Sequence, residues 1–481
     1  MKTGKIILAA IILISSSCSE HTNQLDFKTF LNEPCMLVNY EQDNTIEGHY
    51  LTVHHINDST ITVSLPENFY VTNSNYTNWV IGWGENKPLY DAGVENLREI
   101  SKTGLKNKTI TLGSLLRGKG LPKQDQRIVF WNKYPSGFIN HLGKPIIDTK
   151  IWPEFAGSSI CFSSVKYDSV LSKWIMIVNE CDTPKIQIYA ALSSDLVHWD
   201  AANGGRPILK ASDFKNCKWA GKDKTGSIAQ TPFTSDMVRF NNKWFLFLDG
   251  YDSYGKRHIG LAVSGSTALG PYKIMDNPVL SPGKDNEWNN EAVFYAKVEK
   301  YKNGFIMFYD GRNKSGLERI GMATSNNLVS WHNANNNPVI DQHTGWRSFI
   351  GTTEPNYVEI RNDTILLLCA GVKKLKTGFW NHYITQRSYC DKSGNVGDAQ
   401  LGFYISTDDG KTFSPHRNNP MFINNYYSPY EDDHMGGNFK LIKTDSMDYV
   451  IYQAKSGHES RYNILLRQRT KKEHFATGQS K

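Results

Sequence analysis

One pattern of short apolar segments recurs along the C-terminal part of this chain. Its plainest copy spans residues 291–340, with apolar stretches at 305–309 and 320–324 and a Pro-Val-Ile segment at 338–340. These stretches have the length and the β-branched and aromatic content of strands rather than of helices. A unit of three or four such strands cannot bury its own faces, so its copies must stack on one another.

The second strand of the unit sets the number of copies, because it recurs five times. The copies lie at residues 174–178, 244–248, 305–309, 365–369 and 449–452. Four strands per unit, arranged radially, form a β-propeller, which leaves only short and protected sheet edges. The sequence therefore predicts an all-β fold with a five-bladed β-propeller at residues 140–470.

The segment Lys-Pro-Ile-Ile at 144–147 has the form of a fourth strand but precedes the first copy, while the fifth copy lacks such a segment. We therefore expect 144–147 to pair with the last copy and close the ring. Residues 19–135 carry no copy of the unit but show strand-like alternation, for example at 50–56 and 60–65. We interpret them as a small β-rich accessory region, and 471–481 as a polar tail.

The N-terminus has the features of a bacterial export signal. Two lysines precede an apolar run at 6–14 that is too short to span a bilayer, and Ser-Ser-Ser-Cys at 15–18 resembles a lipobox. We predict that residues 1–18 are a lipoprotein signal peptide and that Cys18 is lipidated, with ordinary signal cleavage as the alternative. The chain would then be an outer-membrane or periplasmic lipoprotein of the cell envelope, in contact with the membrane only through its N-terminal lipid.

Composition excludes some classes of partner. A hydrophobic content of 39% and an aromatic content of 12% are typical of a globular β-rich chain. The net charge of +7 is scattered, with no basic helix, so we predict no nucleic-acid partner and a monomer. The seven cysteines lack C-x-x-C spacing, which argues against a zinc site; we interpret them mainly as free thiols in strands. No cofactor is predicted, although bound Ca²⁺ is left open.

In a propeller the first strands run side by side around a central channel, so residues at their starts converge on one funnel. These positions hold Ser163 or Ser164, Asp236, Glu291, Glu354 and His434. Glycoside hydrolysis requires two carboxyl groups across a sugar ring, one as acid and one as base or nucleophile. We predict Glu291 as the general acid and Asp236 as the base or as the group that tunes the acid's pKa, with Glu354 and His434 at the same site.

Each of these residues also has a structural interpretation. Asp236 could be a turn residue that hydrogen-bonds its own backbone, and Glu291 could be a solvated loop charge. Trp288, which precedes Glu291, suits a stacking platform for a sugar. Arg312 and Arg239 offer planar forks for a carboxylate or sulfate on the substrate, and ion pairs within the protein are the alternative.

Residues 406–413, Ser-Thr-Asp-Asp-Gly-Lys-Thr-Phe, match the Asp-box of sialidases, a structural turn between the third and fourth strands of a blade. Segments 193–199 and 325–331 occupy the same place in their copies. Ser-Asp-Leu-Val-His-Trp at 194–199, followed by Pro-Ile-Leu at 207–209, resembles the five-bladed propeller glycoside hydrolases of families 43 and 32 and of the neighbouring families 117 and 130. The resemblance covers roughly residues 140–470.

The resemblance implies an acidic base on blade one, a pKa-tuning acid on blade two and a glutamate proton donor on blade three. Asp236 matches the blade-two position and Glu291 the blade-three position. Blade one has Cys-Phe-Ser-Ser at 161–164 where family 43 has Asp-Pro. Either Glu154 or Asp148 replaces the base, or the acid and base come from the four funnel residues already named, or catalysis is lost. A histidine acid on blade five would resemble family 117.

We therefore expect an exported glycoside hydrolase, exo-acting on oligosaccharides derived from plant or algal polysaccharides, in the manner of a xylosidase or arabinosidase. Two alternatives stay open at this point. One is a phosphate-dependent glycoside phosphorylase of the family-130 type. The other is a non-catalytic carbohydrate-binding propeller lipoprotein.

Overall fold

The computed structural model describes two sets of residues. Towards the N-terminus it describes only the backbone of 52–56, 61–64, 79–83, 87–92, 109–111, 128–132 and 139–140. Beyond these it describes 144–153, 159–180, 187–221, 232–344, 347–375, 396–416, 419, 434–444, 447–456 and 461–470. The predicted signal peptide with Cys18, the polar tail and Glu154 lie outside the described residues. Among the described residues, no helix is long and apolar enough to cross a membrane.

Strands dominate the described chain, which confirms the all-β prediction at that level. The region before residue 135 contains β1 (Thr52–Ile56), β2 (Ile61–Ser64), β3 (Trp79–Trp83), β4 (Lys87–Ala92), β5 (Thr109–Thr111) and β6 (Ile128–Asn132). They form two antiparallel sheets, with strand orders β1-β2-β5 and β4-β3-β6. Several of these strands lie in the segments whose alternation predicts them.

The next group of strands follows a short strand β7 (Ile139–Asn140) and a 3₁₀ turn at Thr149–Ile151. It comprises β8 (Ile160–Asp168), β9 (Lys173–Glu180), β10 (Ile188–Ser193) and β11 (Asp200–Ala201). They form one antiparallel sheet in the order β11-β10-β9-β8, and two 3₁₀ turns follow at Asn203–Gly205 and Ala211–Phe214. The group is therefore a simple meander, as the repeat unit predicts.

Three further meanders follow. They are β12 (Phe233–Phe240), β13 (Lys243–Tyr251), β14 (Arg257–Ser264) and β15 (Tyr272–Ile274); β16 (Ala292–Tyr301), β17 (Gly304–Arg312), β18 (Glu318–Ser325) and β19 (His332–Asn333); and β20 (Gly351–Arg361), β21 (Thr364–Leu375), β22 (Val396–Ser406) and β23 (Ser414–Pro415). Pairing is antiparallel within each meander. Single parallel bridges, Arg257 with Ala292 and Glu318 with Gly351, join the three meanders into one sheet.

The last meander takes its fourth strand from β7, which precedes the first meander in the chain. Strands β24 (His434–Lys443), β25 (Met447–Ser456) and β26 (Arg461–Thr470) pair in order, and β7 then pairs with β26. The backbone N–H of Ile146 donates to the carbonyl of Ile464 at 2.9 Å, and Ile147 is buried against the same strands. This contact agrees with the pairing expected for 144–147, because an apolar segment without a partner in its own meander gains one here; closure of the ring by this segment stays a prediction.

Hydrophobic clusters lie between successive meanders rather than within them. The β8–β11 meander shares one cluster with β12–β15, and further clusters join β12–β15 to β16–β19, β16–β19 to β20–β23, and β20–β23 to β24–β26. A fifth cluster joins β24–β26 back to β8–β11, with Val165 and Tyr189 packed among Ile451 and Ile464. Their first strands β8, β12, β16, β20 and β24 contact one another in the same cyclic order. No hydrogen-bonded sheet closes among the described strands.

The Asp-box turn joins β22 to β23 and has a structural role. The Ser406 hydroxyl donates to Asp408 Oδ1 at 2.7 Å, and the same oxygen accepts from the backbone N–H of Thr412 at 2.9 Å. The turns at Ser193 and Ser325 repeat these contacts through Asp195 and Asn327. The structural prediction for these motifs is therefore confirmed.

The cysteines differ partly from expectation. Cys217 and Cys369 are free thiols, as predicted, whereas Cys161 is disulfide-bonded. The expectation of a free thiol at position 161 is therefore wrong, because spacing along the chain does not show which cysteines meet in space.

Candidate active site

First strands begin and second strands end at the same edge of the meanders. Phe233 at the start of β12 faces Asp249, Ala292 at the start of β16 faces Arg312, and Gly351 faces Val372. We call this side of the molecule the mouth edge. The loops after the second strands and the starts of the first strands meet there, so their side chains can form one site.

Three carboxyl groups gather at the mouth edge from neighbouring meanders. They belong to Asp310 at the end of β17, Glu318 at the start of β18 and Glu354 in β20, with exposures of 0%, 8% and 5%. Asp310 Oδ2 accepts hydrogen bonds from the Glu354 backbone N–H at 3.0 Å and from the Thr353 hydroxyl. We call these three residues the mouth cluster. Buried carboxyl groups are rare unless they are paired or functional.

Burial and mutual repulsion change the acidity of this cluster. Burial raises the pKa of Asp310 well above its usual range, and the charges of Glu318 and Glu354 raise it further, although hydrogen bonds from Thr353 and the Glu354 N–H oppose the shift. Burial also raises the pKa of Glu318; Glu354 adds to the rise, while Thr353 and the Arg312 guanidinium oppose it. Arg312 Nη1 lies 3.9 Å from Glu318 Oε1. The cluster therefore favours a proton shared among closely spaced carboxyl groups.

The backbone of Glu354 adopts a conformation that few residues other than glycine adopt. Its φ is 47°, in the left-handed region, at a β-bulge between Thr353 and Pro355. A non-glycine residue held there costs about 1–3 kcal/mol, and such residues cluster at active sites. The Asp310 carboxylate that accepts from the Glu354 N–H holds the bulge in place.

A buried ion pair adjoins the mouth cluster. The Arg257 guanidinium donates to the Asp249 carboxylate, and it packs over the rings of Phe294 at 4.4 Å and Tyr295 at 5.1 Å. Tyr295, like Glu354, sits at a bulge with a positive φ, of 52°. Burial raises the pKa of its hydroxyl well above the usual range, and the Glu354 charge adds to this rise.

Glu291 and Trp288 also lie at the mouth edge. The backbone N–H of Glu291 donates to the Arg312 carbonyl at 3.0 Å, and its carbonyl accepts from the Arg257 N–H at 3.4 Å. The residue is only partly buried. Trp288 stacks on Tyr309, with ring centroids 5.9 Å apart and planes at 26°, so part of its indole packs within the protein. The structure therefore brings Glu291, Trp288 and Arg312 to the same edge as Glu354.

Asp236 lies further from the mouth edge along its first strand than Glu291 and Glu354 lie along theirs. It faces Phe247 across the β12–β13 pair, and Lys297 faces Phe308 at the same register position of the β16–β17 pair. The corresponding positions in the other meanders are Ser164, Tyr357 and Phe439. The expectation that Asp236, Glu291 and Glu354 are equivalent is therefore wrong, because bulges of different lengths shift the first strands past their partners.

Asp236 has both carboxylate oxygens engaged. Oδ1 accepts from the Ser164 hydroxyl at 2.9 Å and from the Met237 N–H at 2.8 Å, and Oδ2 accepts from the Val298 N–H at 3.0 Å. Burial opposes ionisation, but the charges of Lys166 and Lys297 and the Val298 N–H hold its pKa below the usual value. This environment suits a permanently ionised group more than one that exchanges protons.

Lys297, at the position equivalent to Asp236, connects four first strands. Its ammonium donates to the Ser163 carbonyl at 3.0 Å, the Ser235 carbonyl at 2.9 Å and Asn438 Oδ1 at 3.0 Å. Those acceptors lie on β8, β12 and β24, and Lys297 itself lies on β16. Burial lowers the pKa of Lys297 to about 8, although the nearby Asp236 charge opposes the shift.

The remaining candidates lie away from the mouth cluster or outside the description. Arg239 lies near the opposite end of β12, where it donates to the Ser169 hydroxyl and packs near Trp244 at 5.9 Å. Arg239 therefore lies about 20 Å from Phe233 along the strand. His434 begins β24 with its backbone opposite Lys455; its side chain is outside the description. Asp148 is exposed and caps a 3₁₀ turn by accepting from the Lys150 N–H at 3.0 Å.

The sequence analysis did not predict a role for Asp310, Glu318 or Lys297, although the sequence around Asp310 and Lys297 contains patterns that could have indicated one. An Asp-Gly pair follows the apolar run of the second strand at Asp310 and, one meander earlier, at Asp249. Lys297 is a charged residue between Ala296 and Val298 inside an apolar strand, which points to an inward charge with buried partners. Glu318 carries no comparable pattern. In the described part of the chain, no group of three or more His, Cys, Asp or Glu side chains could hold a metal ion.

No protein-family model matches this chain, and no curated protein matches it. Solved structures similar to it include glycoside hydrolases. A thermostable family-43 glycoside hydrolase is 13% identical, with 65% of this chain and 93% of that chain covered and a TM-score of 0.48. A structure described as a glycoside hydrolase is 18% identical, with coverages of 64% and 87% and a TM-score of 0.46. A family-117 glycoside hydrolase of the marine bacterium Zobellia galactanivorans is 13% identical, with coverages of 69% and 89% and a TM-score of 0.42.

Proposed function

We propose that this chain is an exported glycoside hydrolase built as a five-bladed β-propeller, with its active site at the mouth cluster. One observation carries the proposal: Asp310, Glu318 and Glu354 place three carboxyl groups together at one edge, and the pKa of two of them is raised. The first strands contact one another in cyclic order, and the hydrophobic clusters join successive meanders in the same order. Both observations support the five-bladed arrangement.

Hydrolysis of a glycosidic bond needs one carboxyl group that protonates the leaving oxygen and one carboxylate that acts as base or nucleophile. Glu318, with its raised pKa and small exposed fraction, suits the proton donor, and Glu354 supplies the carboxylate. Asp310 is fully buried and acts through Glu354, because its carboxyl group accepts a hydrogen bond from the Glu354 backbone N–H. Glu291 belongs to this proposal as the more exposed carboxyl group of the mouth edge, where it can meet the substrate.

The proposed substrate is an oligosaccharide derived from a plant or algal polysaccharide, cleaved from one end. Trp288 and Arg312 at the mouth edge suit contacts with a sugar ring and with its polar groups. Export through residues 1–18 and lipidation of Cys18 would place the enzyme in the cell envelope, where such oligosaccharides enter. His434 stays a candidate because its strand contributes to the same set of first strands.

Incubation with a panel of aryl-glycosides and plant and algal oligosaccharides tests this function. We expect release of a terminal sugar, with no requirement for inorganic phosphate. Release only in the presence of phosphate, with a sugar phosphate as product, would identify a phosphorylase instead. Saturable oligosaccharide binding with no product after long incubation would contradict hydrolysis and support a non-catalytic binding protein.

An exposed tyrosine at the mouth edge gives a prediction about substrate binding. Tyr254 is 88% exposed in the turn between β13 and β14, and its N–H donates to Asp252 Oδ1 at 2.8 Å, which fixes the turn. An exposed aromatic ring on a fixed turn at this edge can stack on an outer sugar. We expect Tyr254→Ala to raise KM for an oligosaccharide about 5- to 10-fold, equivalent to about 1–1.4 kcal/mol, while KM for a short aryl-glycoside stays unchanged.

Tyr167→Ala is the matched control for this substitution. Tyr167 is 50% exposed and lies near the end of β8, away from the mouth edge. Its replacement should leave both KM values unchanged. An equal change in both variants, or a larger effect of Tyr254→Ala on the short substrate, would exclude an outer stacking role for Tyr254.

A further inference from the structure

A small cavity lies between the first strands, and all five of them line it. Its lining includes Lys166, Asp236, Lys297, Glu299 and Lys440. Lys297 crosses from β16 to three other strands at this level, and Glu299 and Lys166 lie further along their strands from the mouth edge. The cavity is therefore separate from the mouth cluster, and nothing in the proposed reaction uses it.

Charges around the cavity do not balance. Three lysines face two carboxylates, which leaves one positive charge in excess when all five groups are ionised. Lys166 pairs with Glu299 at 3.4 Å, and Asp236 is held between Lys166 and Lys297. All three N–H groups of Lys297 donate to neutral acceptors. The remaining lysine, Lys440, has no carboxylate in contact among the described residues.

Donor groups without partners also face this space. In the described part of the chain, the Ser163 hydroxyl, 3% exposed, is buried without a partner. The partly buried Lys440 side chain also lines the cavity, and among the described residues it forms no hydrogen bond or ion pair. Asn356 Oδ1 is likewise a buried acceptor without a donor. Orphaned buried polar atoms indicate an ordered water molecule or ion that completes the site.

We propose that this cavity binds a small monovalent inorganic anion, of the size and charge of chloride, between Lys440 and Ser163. The ammonium and the hydroxyl donate to the anion, and one bound negative charge neutralises the excess positive charge. A water molecule that hydrates the anion donates to Asn356 Oδ1. The narrow space, with room for about one or two water molecules, excludes a sugar ring.

The pKa shifts of the groups that line the cavity are consistent with a bound anion. Burial lowers the pKa of Lys440 to about 8, and the Lys166 and Lys297 charges lower it further, while Glu299 and Asp236 oppose the shift. Tyr357 of β20 also lines the cavity, and its raised pKa keeps its hydroxyl neutral. An anion beside Lys440 stabilises the protonated ammonium, so anion affinity should fall as pH rises above about 8.

Thermal melting at constant ionic strength tests the site. Sodium chloride replaces sodium gluconate, whose anion is too large for the cavity, in a titration at pH 7. Because a ligand of the folded state stabilises in proportion to ln(1 + [L]/Kd), we expect a saturable rise in Tm with chloride that is smaller at pH 9.5. Lys440→Gln should abolish the chloride dependence, and Lys300→Gln, which removes an exposed lysine of β16, should retain it.

Bromide in place of chloride gives an independent readout that does not depend on a variant. Crystals soaked in bromide should show an anomalous scattering peak within hydrogen-bond distance of Lys440 Nζ. A rise in Tm that does not saturate, or that persists in Lys440→Gln, together with no bromide peak beside Lys440, would overturn the proposal. Neither result bears on glycoside hydrolysis, because no residue of the mouth cluster lines the cavity.

Discussion

Replacing Glu354 by glutamine is expected to lower kcat/KM for the best substrate of the panel by about 10²–10⁴-fold, the range for loss of a positioned acid–base group. Glutamine keeps the size of the side chain and the backbone N–H that donates to Asp310, but it cannot act as base or nucleophile. Substrate affinity, measured by calorimetry, should change little. The midpoint of thermal unfolding should stay the same or rise, because one charge leaves a crowded carboxyl cluster.

Glu359→Gln is the control for Glu354→Gln. Glu359 lies on the same strand, five residues further on, and pairs with Lys443 at 2.6 Å and with Arg361 at 2.6 Å away from the mouth edge. We expect its substitution to leave kcat/KM within a factor of about two of the wild type, because this partly buried carboxylate lies away from the mouth edge and does not contact the mouth cluster. Retention of full activity in Glu354→Gln would remove Glu354 from the reaction and direct attention to Glu291.

Replacing Lys297 by methionine is expected to lower the free energy of unfolding by about 3–5 kcal/mol, the cost of removing one partner from a buried charged network. The substitution leaves the carbonyls of Ser163 and Ser235 and the Asn438 side chain without the donor that joins them. It also removes one of the three lysine charges that stabilise the ionised form of the buried Asp236 carboxylate. Urea unfolding measures the change.

Lys300→Met provides the comparison for this effect. Lys300 is exposed on the same strand, three residues further along, so the substitution repeats the chemical change without the buried contacts. Its effect should stay within about 0.5 kcal/mol. If Lys297→Met unfolds at the same urea concentration as Lys300→Met, then the ammonium does not hold the first strands together.

Strand positions could be predicted from the sequence because each second strand is a continuous apolar run bounded by turn residues. The Asp-box turn at Ser406 follows from a local pattern of the same kind, because a polar motif that satisfies its own backbone forms the same turn wherever it occurs. The pairing of Ile146 with the last meander is a long-range contact, and it could be predicted because the fifth copy lacks a fourth strand of its own.

The composition of the site depended on register, which the sequence pattern does not specify. A bulge at Ser235 adds one residue to β12, whereas the bulge after Phe294 in β16 is longer. The register of β16 therefore puts Lys297 beside Phe308, at the position that Asp236 holds in β12. Glu318 joins the site through a single parallel bridge to Gly351, a long-range pairing with no local signal.

The pH dependence of kcat/KM on an activated aryl-glycoside, in the wild type and in Glu318→Gln, tests the central claim most directly. The proposed reaction needs one ionised and one protonated carboxyl group, so the wild type should give a bell-shaped profile. Activity should fall on the alkaline side as the proton donor, whose pKa is raised, becomes ionised. In Glu318→Gln the alkaline limb should disappear, and an activated leaving group should lose less rate than an unactivated one. An unchanged alkaline limb in Glu318→Gln would contradict the assignment of the proton donor to the mouth cluster.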